Sequence, residues 1–233
     1  MTWGEMKIEL GIKSDPIEYR YSFEWLFRLM EELNVPLLQL GSFMELYSVD
    51  PSYLHDLREA AEAHGIEIRS CFTAHRELGG FLTGDPRLER VAMDNYRRWI
   101  DVAAAVGARY CGSNPGAVYR DRMNTKGQAV QRYLSVMPEL MRHAQDRGLS
   151  GLLIEPMSCS AEPPSFPGEI RELMESLQGV HHENPDSTVP VYLCSDMTHG
   201  VADRKGSVLH DSLELFAHQA PYMAEFHFKN TDA

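Results

Sequence analysis

Two patterns of apolar and polar positions alternate along the chain. Short, mostly apolar runs read as strands: Lys7–Ile12, Pro36–Leu40, Ile66–Phe72, Ala108–Cys111, Gly151–Ile154, Val191–Ser195 and Met223–Phe226. Between them, apolar residues recur at helical spacing. Phe23, Leu26, Phe27, Met30 and Leu33 form one such stripe, and Leu54, Leu57 and Ala61 a second. A long third stripe runs from Leu88 through Val91, Tyr96 and Trp99 to Ala103, and a fourth from Val130 through Met137 to Ala144. Shorter helices are expected over Phe166–Leu177 and Leu209–Ala217. Asp50-Pro51 and Asp85-Pro86 each place a capping carboxylate before a proline at the first helical position. Gly65, Gly107 and Gly148 supply left-handed stops.

Seven strand–helix repeats predict an α/β protein with a parallel sheet and helical crossovers. An open, doubly wound sheet would usually carry a glycine-rich phosphate loop after its first strand. Here that position reads Gly11-Ile12-Lys13-Ser14-Asp15-Pro16, which matches neither GxGxxG nor GxxxxGK[ST]. The chemistry-bearing residues stand instead at the ends of strands three to seven, as in a (β/α)8 TIM barrel with its site at the C-terminal face. A single (β/α) barrel domain is therefore expected over residues 1–233. The eighth strand is missing from the given chain, so the barrel is C-terminally incomplete here and is expected to be completed by residues outside it, since an open barrel would expose two unpaired strand edges.

Composition narrows this only a little. A chain of 233 residues can bury one sizeable core. A net charge of −12 argues against nucleic acid as a partner. No apolar run approaches the roughly 18 residues of a membrane span, and the opening MTWGEMKIEL lacks a signal-peptide pattern. A cytoplasmic location is expected, with no membrane contact. Cys71, Cys111, Cys159 and Cys194 form no CxxC pair and read as free thiols, mostly buried.

Glu155 ends the run Leu152-Leu153-Ile154 and is followed by Pro156, which cannot continue a central strand. Asp196 ends Val191–Ser195, with His199 three residues on, and His227 ends Met223–Phe226. Singly, a strand-end Glu is more often solvated or capping, and a His after an apolar run more often a satisfied core residue. Together they put two hard oxygen ligands and an imidazole at the same end of successive strands. Such a set suits one divalent metal ion: Mn2+ first, with Mg2+, Co2+ or Zn2+ as alternatives. Three protein ligands leave coordination positions for substrate or water. His75 after strand three and Asn114 after strand four lie at the same end, as does Lys229. A loop role for His75, a turn role for Asn114 in GSNPG and a solvated role for Lys229 stay open. Phe43, Phe72 and Phe81 near loop mouths could wall a sugar's apolar face, and His181-His182 read as surface residues of a polar loop.

These residues resemble the xylose isomerase-like TIM barrel superfamily, the sugar isomerases and epimerases related to the endonuclease IV branch. Glu155-Pro156 after its apolar run is similar to the family's strand-five metal-binding glutamate. Asp196-Met197-Thr198-His199-Gly200 is similar to the strand-six aspartate with a histidine three residues on, Thr198 standing where a small residue is usual. His227 in Phe226–Asn230 resembles the strand-seven histidine ligand. The family's strand-eight glutamate has no counterpart in the chain. The resemblance implies a metal-dependent sugar isomerase or 3-epimerase that moves a proton through a metal-stabilised enediolate. Glu155, Asp196 and His227 would hold the metal, with Glu155 also the general acid/base. His199, His75, Asn114 and Lys229 would contact the substrate. A lyase, dehydratase or decarboxylase of an oxidised sugar would use the same enolate. A non-catalytic accessory barrel and an apurinic endonuclease are the other readings, and the latter needs a three-metal cluster to which strand four offers only Asn114. The expected partner is a small sugar or sugar derivative, without phosphate since no phosphate nest is seen; a homo-oligomer is left open.

Overall fold

The structure is a computed structural model, and it describes residues 8–41, 48–73, 80–203 and 205–228. In chain order the elements are β1 (Gly11–Lys13), α1 (Phe23–Leu33), β2 (Leu37–Gly41), α2 (Pro51–Ala63), β3 (Glu67–Thr73), α3 (Pro86–Ala105) and β4 (Tyr110–Ser113). There follow α4 (Lys126–Asp146), β5 (Gly151–Ile154), α5 (Pro167–Glu183), β6 (Val191–Asp196), β7 (Val201–Ala202), β8 (Val208–His210), α6 (Ser212–Gln219) and β9 (Met223–His227). Seven strands form one parallel sheet in the order β1-β2-β3-β4-β5-β6-β9, and β7 pairs antiparallel with β8.

That order decides between the two architectures. Every barrel strand sits beside its predecessor, with no reversal, so right-handed crossovers carry all the helices to one face of the sheet. A doubly wound sheet needs a switch point, and none is present among the described residues. The main core lies between helices and sheet, where Leu152 and Ile154 of β5 and Val191 and Leu193 of β6 meet Phe27, Trp99 and Met141 from the helices. On the other face, the barrel interior, Phe72, Leu153 and Cys194 form a second cluster with Tyr110 and Tyr192 against it. Strand alternation thus directs Leu153 and Cys194 inward, and with them Glu155 and Asp196 two residues further along. Gly112 makes room for this layer. A Cβ there would lie 2.7 Å from the Leu153 carbonyl oxygen and 2.8 Å from Phe72 Cδ2.

The capping signals hold in detail. Asp50 accepts from the Ser52 amide and Asp85 from the Arg87 amide, each at 2.9 Å. Trp99 is fully buried, and its indole N–H donates to the Gly112 carbonyl. Three positions expected on buried stripes, Leu33, Leu88 and Val91, are instead exposed. α5 runs to Glu183, so His181 and His182 belong to its last turn rather than to a loop, and His181 Nδ1 lies 3.0 Å from Thr188 Oγ1. The helix expected from Leu209 starts later. Val208–His210 is paired as β8, and Asp211 caps α6 by accepting from the Leu213 amide.

Cys71, Cys111 and Cys194 are buried and free, and Cys159 is free and half-buried. Among the described residues there is no eighth barrel strand, and the outer edges of β1 and β9 have no partner. No helix among them is long and apolar enough to cross a membrane.

Candidate metal centre

Three adjacent strands build the site. Glu155 directly follows β5, Asp196 ends β6 and His227 ends β9, with Asp196 and His227 in register as neighbours. Asp196 is 3% exposed. Its Oδ1 accepts from the Thr198 amide at 2.9 Å and from Thr198 Oγ1 at 2.7 Å. This Asx turn swings the chain back over the strand end and delivers His199. His199 Nδ1 lies 2.9 Å from the Pro156 carbonyl oxygen. A carbonyl only accepts, so Nδ1 carries the hydrogen, and it is Nε2 that stays available towards Asp196. That Nε2 faces Asp196 Oδ2 at 3.5 Å. Glu155, Asp196 and His199 each offer a ligand atom within 4.8 Å of the other two.

His227 reaches the same carboxylate. Its Nδ1 lies 3.4 Å from Glu155 Oε1, and both side chains are mostly buried. Its Nε2 lies 2.8 Å from Gln39 Oε1 and 3.4 Å from Cys194 Sγ. Gln39 Nε2 donates to Glu225 Oε2, which also accepts from Ser70 Oγ, both at 2.8 Å. Phe72 meets the His227 ring edge-on, centroids 5.6 Å apart, and Lys13 Nζ stands over the Phe72 ring. Burial pushes the Glu225 carboxyl above the usual carboxylate range, against the hydrogen bonds from Ser70 and Gln39. Burial likewise raises the Cys194 thiol, with the nearby charges of Glu225 and Glu155 adding to it. This is a low-dielectric interior, in which a carboxylate needs a cation or donors close by.

The other sequence candidates divide. Asn114 is 3% exposed, with Nδ2 3.8 Å from Met157 Sδ and no hydrogen-bond partner for Oδ1. It therefore carries an unspent acceptor beside the loop that follows Glu155. His75, Lys229 and Phe43 lie outside the described residues. Phe81 does not wall the site: it is buried against Tyr96 and Tyr133 in the helical layer. Phe72 is buried inside the barrel instead of lining an open mouth. Backbone bonds join the loops around the rim, from Phe81 N to Pro115 O and from Val118 N to Ala161 O. A second metal-spaced trio among the described residues, His55, Asp56 and Glu59, is exposed on α2.

Sequence reasoning missed Gln39, Ser70 and Glu225. No motif marks them, but a signal was there. Each is a polar residue in the middle of a short run otherwise rich in apolar residues, where its burial demands a partner.

Glu155, Asp196 and His199 bring two carboxylates and an imidazole within 4.8 Å of one another, and His227 adds a second imidazole beside Glu155, a donor set that fits a divalent cation. The family model of the xylose isomerase-like TIM barrel matches residues 24–233. Among solved structures, a Rhodospirillum rubrum protein with a provisional xylose isomerase name superposes at a TM-score of 0.81. It is 20% identical, over 97% of this chain and 78% of its own. The D-psicose 3-epimerase of Clostridium cellulolyticum, solved with D-tagatose, gives a TM-score of 0.72 at 14% identity, over 94% of this chain and 72% of its own. IolI protein, solved with a bound zinc atom, gives 0.61 at 16% identity, over 82% of this chain and 64% of its own. At such identities these likenesses show the fold alone. No curated protein matches the chain. With the strand order, the site at the strand ends and a family match spanning nearly all of its length, the chain belongs to the xylose isomerase-like TIM barrel family.

Proposed function

We propose that this chain is a divalent-metal-dependent isomerase or 3-epimerase of a small, non-phosphorylated sugar. In this reading Glu155, Asp196 and His227 hold the ion and Glu155 also transfers the proton. The observation that carries it is the facing of His199 Nε2 and Asp196 Oδ2 at 3.5 Å. With Nδ1–H committed to Pro156, the neutral form of the ring presents Nε2 as a lone pair, and the Asp196 carboxylate is buried with Glu155 close by. Three ligand atoms, from Glu155, Asp196 and His199, lie within 4.8 Å of one another in this low-dielectric pocket, a spacing that a divalent cation can bridge. IolI protein, with its zinc atom, and an epimerase solved with a ketose support the same reading at the level of the fold.

The bound ion would polarise a substrate carbonyl and so acidify the neighbouring C–H. The chain's own groups divide the remaining work. Glu155, mostly buried, takes the proton from carbon, sheltered from bulk water. An isomerase returns it to the neighbouring carbon, whereas a 3-epimerase needs a second acid on the opposite face of the carbon. Asp196 Oδ1 accepts from Thr198, while Oδ2 faces His199 and is the oxygen that would hold the ion. His227 stands on a strand paired directly with Asp196, a stiffer support than the turn that carries His199. His199 accordingly borders the ion and serves a substrate hydroxyl. Asn114 Oδ1 accepts from another hydroxyl. His75 and Lys229 complete the substrate contacts by their places after β3 and β9. The acidic net charge disfavours a nucleic-acid substrate.

The test is solvent deuterium exchange. Manganese-loaded protein incubated in deuterated buffer with a panel of ketoses should label one carbon adjacent to a carbonyl. Glu155→Gln should abolish the labelling. Labelling that survives in Glu155→Gln would remove this residue from the reaction.

A further inference from the structure

We propose that Gln39 is a positioning residue for His227, fixing which imidazole nitrogen is free to face Glu155. The inference rests on the metal-site reading above. Its argument runs through donors and acceptors. Glu225 Oε2 receives a hydrogen bond from Ser70 Oγ and another from Gln39 Nε2. With Glu225 ionised its oxygens only accept, so the amide nitrogen of Gln39 faces Glu225 and the amide oxygen is turned the other way. That oxygen lies 2.8 Å from His227 Nε2. An amide oxygen also only accepts, so Nε2 must carry the hydrogen and the neutral ring keeps its lone pair on Nδ1. Nδ1 is the atom 3.4 Å from Glu155 Oε1. The other neighbour of Nε2, Cys194 Sγ at 3.4 Å, is farther away and a weaker acceptor.

The relay thus runs from Ser70 on β3 and Glu225 on β9 through Gln39 on β2 to His227 on β9. β2 and β9 are not paired in the sheet, so Gln39 spans the barrel interior to reach the ring. Its value lies in direction: a carboxylate at one end sets the polarity of the amide, and the amide sets the tautomer. Groups that hold the far nitrogen of a ligating histidine commonly govern metal affinity by 10- to 100-fold.

The experiment uses protein labelled with 15N-histidine, stripped of metal, in mildly alkaline buffer. Long-range proton–nitrogen correlation distinguishes the two tautomers, and a His227→Ala sample assigns the resonance. The wild type should show His227 protonated at Nε2. Gln39→Met, of similar length but with no acceptor, should mix the tautomers and weaken Mn2+ binding by about 10- to 100-fold. The swapped variant Gln39→Glu with Glu225→Gln keeps an acceptor for Nε2–H and an amide–carboxylate bond, and should restore both properties. It also carries the test should Gln39→Met fail to fold. A wild-type His227 protonated at Nδ1, or a folded Gln39→Met with unchanged tautomer and affinity, would overturn the proposal. A wild type with the Nε2–H tautomer, lost in Gln39→Met, in a protein that binds no Mn2+ would uphold the positioning role and refute the metal reading.

Discussion

Asp196 and His199 face each other across one turn of chain, Oδ2 to Nε2 at 3.5 Å, with their other polar atoms committed to Thr198 and Pro156. The pair is built by local sequence: an aspartate at a strand end makes an Asx turn with the threonine two residues on, and that turn fixes where the histidine lies. Thr198 therefore supports the site through Asp196 rather than as a proposed ligand. Thr198→Ala removes one of the two Thr198 bonds to Asp196 and should destabilise the fold by about 1 kcal/mol. It should also weaken Mn2+ binding several-fold, read by calorimetric titration.

The two histidines should separate in function. His227→Ala removes a proposed ligand and should abolish stoichiometric metal. His199→Ala should leave metal content near that of the wild type while lowering kcat/KM by about 100-fold, the scale of a lost acid–base or orienting group. Elemental analysis and steady-state kinetics on the same samples decide this. Metal lost equally in both variants would make His199 a ligand as well.

Gly112 should tolerate no side chain. Leu153 and Phe72 occupy the space a Cβ would need, and part of that contact is backbone. Gly112→Ala should cost about 1–3 kcal/mol through overpacking, measured by urea unfolding.

His64 links α2 to α1, with Nδ1 2.7 Å from Glu31 Oε2 and Nε2 3.5 Å from Glu24 Oε1. The hydrogen bond to Glu31 is the main cause that raises its pKa above the ordinary imidazole value. A raised folded-state pKa means the folded protein binds the proton more tightly. The stabilisation is complete below the ordinary imidazole range and is lost as pH rises through the folded value. Unfolding midpoints measured across that range should fall with rising pH, and His64→Gln should flatten the slope. A slope unchanged in His64→Gln would show that the histidine does not contribute.

The thiols offer a check on burial. Desolvation raises Cys71 and Cys111, whereas Cys159 is half-buried. Alkylation of the native protein should modify Cys159 first, with the buried three reacting only after unfolding, as peptide mass spectrometry would read.

Much of this molecule was legible in its sequence because the signals were local. Asp-Pro starts fixed α2 and α3, and apolar runs marked the strands, except that β1 is Gly11–Lys13 rather than Lys7–Ile12, with Ile8 and Leu10 exposed. Glu155, Asp196 and His227 stood out as candidates by recurring at strand ends. What escaped was set by tertiary contact. The β7–β8 hairpin has too few residues to show a period. The Gln39–Glu225 bond joins residues far apart in the chain, which no window can see. Leu88 and Val91 fit a helical stripe by spacing, yet they lie on the exposed side of the helix.

The most direct test of the metal reading is metal content. Purified protein, and the same protein reconstituted with Mn2+ and desalted, should hold close to one divalent ion per chain by elemental analysis. Glu155→Ala and Asp196→Ala, each shown to be folded by circular dichroism, should hold almost none. A folded wild type that retains no Mn2+, Co2+, Mg2+ or Zn2+ after reconstitution would contradict the account and favour a barrel without catalytic metal.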